Sequence, residues 1–192
     1  MRRSLWVFGI AMSLFLAGAC KAQQPGPDYR TTATIKDIMD SEVDPSADAL
    51  WESVATIVSA AGTDERRPRT DEDWKNVRRH AVILVEATNL LKMEGRHVAK
   101  PGDKSENPGI ELEPEQMEKM MTEDRQSFIK LANGLHDAAL PALKAIDAKN
   151  AEGLLDAGEA IDVACENCHL KYWYPLSLQA EARKAGAASP KK

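Results

Sequence analysis

Apolar side chains recur at three- and four-residue intervals along most of the 192-residue chain, the spacing that lines one face of an α-helix. Ile35, Ile38 and Met39 open such a stripe, and Leu50, Val54, Ile57, Val58 and Ala61 carry it on to Gly62. Asp44-Pro45 interrupts it, because proline lacks an amide donor and restricts its predecessor. Pro45 also suits the first turn of a helix capped by Asp44. The pattern predicts a broken helix A over residues 31–61.

Thr70-Asp71-Glu72-Asp73 reads as a capping box whose acids suit a helix N-terminus. Helix B follows, with Trp74, Val77, Ala81, Leu84, Thr88 and Leu91 inward and a stop at Gly95. Residues 95–113 are rich in Gly, Pro and charge, a long connection of the kind that often carries function. Helix C opens at Pro114 and turns Met117, Met121, Phe128, Leu131, Leu135, Ala138 and Ala142 to the core, with Pro141 expected to bend it. After a Lys149-Asn150 joint, helix D places Leu154, Gly158, Ile161, Cys165 and Cys168 on one stripe. No alternating apolar run predicts a strand, and no internal repeat occurs. The expected fold is all-α, an antiparallel up-down-up-down four-helix bundle over residues 31–178.

The ends differ in composition. Arg2 and Arg3, the apolar run Leu5 to Leu16 and the small residues Ala17-Gly18-Ala19 form an export signal over residues 1–19. Ala17-Gly18-Ala19-Cys20 resembles a bacterial lipobox, with Ala17 where the usual version has Leu, and this implies a lipidated Cys20 and a membrane anchor. Cleavage without lipidation is the alternative. Either reading places the mature chain in the periplasm. Residues 20–30 read as a tether, and the small, polar residues 179–192 as a tail that frays. Loss of residues 1–19 moves the net charge from −5 to −7, because two arginines leave and no acid does. Such a surface argues against nucleic acid as a partner and is compatible with a basic redox partner.

The chemistry concentrates in Cys165-Glu166-Asn167-Cys168-His169, near the end of helix D. Cys-x-x-Cys-His is the attachment signature of c-type haem. Thiols three residues apart share one side of a helical turn, where both can form thioethers with porphyrin vinyl groups, and the next imidazole becomes the proximal iron ligand. A redox dithiol would want a preceding strand in a βαβ setting, and a closed zinc site a further ligand pair; neither is legible. The expectation is one covalent haem c on Cys165 and Cys168, with His169 on the iron. In the expected topology His80 and His136 lie about 20 Å from the haem end at the standard helical rise. Met39, Met93, His97, Met117, Met120 and Met121 remain as candidates for the other axial position.

An attachment site near the C-terminus, on the last helix of a helical chain, resembles the class II cytochromes c, the cytochrome c prime group. The resemblance implies a distal-face residue supplied by the first helix, which selects Met39 as the distal iron ligand, and a homodimer formed through helices A and B. The chain departs from that pattern at Pro45, just after Met39, and in Tyr172-Trp173-Tyr174-Pro175, which either cover the haem edge or pack the end of the fold. Arg30, Arg96 and Lys100 are candidates to pair with propionates or are simply solvated. Three functions follow in order: extracytoplasmic electron transfer, a five-coordinate haem protein binding nitric oxide or carbon monoxide, and a membrane-anchored scaffold without haem. No phosphate loop, zinc-protease helix or nucleophile-base pair marks an enzyme of another kind.

Overall fold

A computed structural model describes residues 29–184. The export signal, Cys20, most of the tether and residues 185–192 lie outside the described residues. In chain order the elements are α1 (Ile35–Ile38), a π-helical turn (Met39–Val43), α2 (Asp44–Ser53), strands β1 (Thr56–Ser59) and β2 (Gly62–Glu65), α3 (Asp71–Leu91), α4 (Pro114–Glu123), α5 (Arg125–Asp147), α6 (Ala151–Tyr172) and α7 (Leu176–Lys184).

The expected all-α four-helix bundle is corrected by this arrangement. The chain is mostly helical, but residues 56–65 form an antiparallel hairpin with Thr56 opposite Glu65 and Ser59 opposite Gly62. Thr56-Ile57-Val58 is a β-branched run, stiff at χ1 and better suited to a pleated ribbon than to a helix. Gly62 supplies the positive φ of +126° at the turn. Ile57 and Val58, expected to face inward, are instead exposed, whereas Leu50 and Val54 of the same stripe are buried. Expected helix C divides at Asp124, whose φ of −126° and ψ of 58° end α4. Its carboxylate accepts the Ser127 amide at 3.2 Å and so caps α5. Residues 176–184 form α7.

Other local signals act as their chemistry dictates. Thr70 and Asp73 cap α3 reciprocally, and Asn150 accepts from the Gly153 amide to cap α6. Pro141 lies inside α5, which runs on to Asp147. The π turn stands directly before Pro45. Proline provides no amide for the Ser41 carbonyl and crowds it, and the backbone widens so that the Asp44 N–H reaches Met39 O.

The core lies where α5 packs on α3 and α6 and where α2 meets α3 and α6. Leu50, Leu84, Leu154 and Ile161 are almost wholly buried, each worth about 1.5–3 kcal/mol by area removed from water. Ala81, Ala139 and Ala142 are fully buried and let the helices approach closely. The α2–α6 contact is tighter still. Trp51 Nε1–H donates to Gly158 O at 2.9 Å, and a Cβ on Gly158 would stand 3.0 Å from the indole.

The long 95–113 connection clasps the start of α1. The Ile35 and Lys36 amides, which no helical carbonyl can satisfy, donate to His97 O and Val98 O, both at 2.9 Å. Arg96 donates to Leu90 O at 2.8 Å and to Ala33 O, and its third contact is Met93 Sδ at 3.1 Å. The segment carrying Met39 is thereby fixed to the end of α3.

Candidate thiol–imidazole cleft

Met39, Val43, Leu91, Phe128, Cys165, Cys168 and His169 share one cleft, completed by Leu131, Ala132, Leu135 and Ala164. The cleft encloses about 20 Å³, room for about one water, and about 340 Å³ when unfilled space out to its open side is counted. Its walls come from the π turn, the end of α3, α5 and the last turns of α6. The Cys-x-x-Cys-His residues and Met39 therefore stand together. The expected helix D stripe explains the thiols' inward setting, and the π turn explains that of Met39.

Cys165 and Cys168 are free and partly buried. Burial pushes the Cys165 thiol up to about 12, helped by the charges of Asp44, Asp162 and Glu166 and by Cys168. Burial lifts Cys168 to about 11, with the charge of Lys171 opposing. Both are therefore protonated at neutral pH, the reverse of a reactive dithiol, whose thiolate is stabilised. Burial also lowers the His169 pKa below its ordinary value, with Glu166 opposing. The imidazole is thus held neutral, the form that ligates a metal. Among the described residues no group of three or more His, Cys, Asp and Glu side chains is placed to hold a metal ion.

The residues after the motif surround His169. The Trp173 and Tyr174 amides donate to His169 O at 2.8 and 3.0 Å, turning the chain back over the ring. Trp173 packs edge-on to the imidazole, centroids 5.0 Å apart, and Tyr174 Oη lies 3.4 Å from His169 Nδ1 and 2.9 Å from Glu166 Oε2. Tyr172 has a different role: it is 2% exposed and packs against Phe128 with ring centroids 5.7 Å apart.

The other candidates lie outside the cleft lining. His97 is exposed and paired with Glu118 at 2.7 Å, and Met93 contacts Arg96. Met117, Met120 and Met121 pack against the core from α4 without lining the cleft. His80 Nδ1 is buried without a partner, and His136 stands beside Asp137 at 3.2 Å. Arg96 is occupied by backbone carbonyls, and Lys100 pairs with Asp37 at 2.9 Å.

Glu111 is a residue that periodicity does not reveal. It is 7% exposed. Burial alone would raise its pKa, but hydrogen bonds from Asn107 and Ser105 outweigh this and hold the carboxyl below its usual value. Leu112 N–H donates to Trp173 O at 2.8 Å, so the long connection braces the aromatic residue that packs on His169. Only the abundance of Ser and Asn donors around an acid flanked by Ile110 and Leu112 hints at this in the sequence.

The class defined by fold and site is a mostly helical protein presenting a Cys-x-x-Cys-His turn and a methionine to one apolar cleft. Compared with family models, curated proteins and solved structures, the chain matches none.

Proposed function

We propose that this chain is a c-type haem protein that transfers single electrons outside the cytoplasm. The observation that carries the reading is the meeting of Cys165, Cys168, His169 and Met39 on one apolar cleft. The donor set fits the group: Cys165 and Cys168 would form the thioethers, and the neutral imidazole of His169 and the thioether sulfur of Met39 would ligate the iron. A porphyrin is larger than the enclosed space, so the mouth would have to open on loading. Met39 and Leu131, both only partly buried, are placed to shift, and methionine adapts readily.

Haem bound there would supply a one-electron couple between ferric and ferrous iron. The protein's share is to hold it and to tune it. Leu91, Phe128 and Leu135 supply apolar walls, and the Leu112–Trp173 hydrogen bond braces the ring that packs on His169. Export rests on residues 1–19 and anchoring on Cys20, both outside the described residues. No described helix is long and apolar enough to cross a membrane.

The test is an absorption spectrum of the protein expressed with a haem-attachment system, in wild type and Met39→Ala. The wild type should be low-spin, and Met39→Ala high-spin with carbon monoxide binding. A wild type already high-spin and open to carbon monoxide would make this a gas-binding haem protein instead. A low-spin Met39→Ala protein would move the sixth ligand to His97 or another methionine.

A further inference from the structure

We propose that Tyr174 and Glu166 form a hydrogen-bonded relay that fixes the tautomer of His169 and strengthens its Nε2 as an iron donor, which rests on the reading of His169 as the proximal ligand. Tyr174 has one hydroxyl hydrogen and two neighbours, Glu166 Oε2 at 2.9 Å and His169 Nδ1 at 3.4 Å. The hydroxyl donates to the Glu166 carboxyl, the shorter of the two contacts. The phenol oxygen then offers the imidazole only a lone pair. Nδ1 must carry the ring hydrogen to use it, and Nε2 is left free to bind a metal.

The surrounding contacts hold this arrangement in place. The turn that brings Tyr174 to His169 is closed by two amides on the His169 carbonyl. The Tyr174 carbonyl in turn accepts from Gln179 Nε2 at 2.7 Å, tying it to α7. Trp173 blocks rotation from another side, its ring 88° to the imidazole. Glu166 lies between the two cysteines, so one turn of α6 carries the thiols, the imidazole and the carboxylate that polarises it. A negative charge relayed to Nδ1–H makes the opposite nitrogen more basic, as outer-shell carboxylates do for metal-bound histidine. A more basic proximal ligand favours ferric over ferrous iron, so the relay lowers the reduction potential.

The test compares reduction potentials of the holoprotein as wild type, Tyr174→Phe, Glu166→Gln and the double variant. Tyr174→Phe keeps the ring packing and removes the acceptor. It should shift the ferric-to-ferrous equilibrium about tenfold toward the reduced form, in line with outer-shell effects on metal sites, a rise of about 59 mV for one electron. Glu166→Gln should move it the same way by less, and the double variant no further than Tyr174→Phe, since both act on one relay. A packing role alone would lower thermal stability and leave the potential unmoved, and that result, or additive shifts, overturns the relay. If the wild type holds no covalent haem, or His169→Ala leaves the spectrum unchanged, the ligand reading falls and takes the relay with it.

Discussion

Two hollows of this molecule differ in both size and content. The larger, about 700 Å³, lies between the hairpin and the start of α3, with Glu52, Asp64, Arg66, Arg67 and Asp73 among its lining. Its charges pair locally, Arg66 with Asp64 at 3.1 Å and Arg67 with Glu65 at 2.7 Å, and such exposed pairs are worth about 0–1 kcal/mol. The smaller cleft encloses about 20 Å³, yet two thiols, an imidazole and a thioether meet there against apolar walls. Convergence of unlike metal-ligating and thioether-forming side chains, and not volume, distinguishes the smaller cleft.

The contrast predicts unequal costs of substitution. Phe128→Ala removes a buried wall of the cleft and the partner of Tyr172, and should cost about 3–5 kcal/mol in denaturant unfolding. A cost below about 1 kcal/mol would mean that the cleft is not part of the cooperative core. Thr34→Ala should cost about 1 kcal/mol, because it removes the oxygen that caps α1 just ahead of Met39. Hydrogen exchange should show the loss concentrated at α1 and the π turn.

The same cap responds to acid. Backbone hydrogen bonding from Thr34, then Lys100 and the Thr34 hydroxyl, hold the Asp37 carboxyl at about 2, below its ordinary 3.8. A folded pKa below the unfolded one means that the unfolded chain binds the proton more readily. The stability this carboxylate provides is therefore present above pH 3.8 and is lost as pH falls toward 2. Asp37→Asn should flatten that part of the stability-pH curve, and an unchanged curve would remove the cap from the account. The smallest effect is expected at the hairpin: Val58→Ser changes a side chain that is 78% exposed and should stay within about 0.5 kcal/mol.

What the sequence reveals tracks the range of the interaction. The Cys165–His169 spacing is set within one helical turn, and the Thr70 cap acts on an amide three residues away, so these are legible. The hairpin is not, because Ile57 and Val58 match a helical stripe as well as a strand, and nothing local records that the core ends at Val54. The turn geometry at Met39 depends on how the carbonyls before Pro45 resolve a steric conflict. The hydrogen bond from Leu112 to Trp173 joins residues far apart in the chain, and only the folded structure brings them together.

Covalent attachment most directly separates a haem site from an ordinary apolar cleft. The protein should be expressed with a c-type haem-attachment system, extracted with acidified acetone, and its intact mass compared with that of a Cys165→Ala, Cys168→Ala double variant. The wild type should keep its colour in the protein fraction and exceed the polypeptide mass by one haem, and the variant should do neither. Extraction of all colour into the solvent, with a wild type at the bare polypeptide mass, would contradict the reading of the cleft as a haem site.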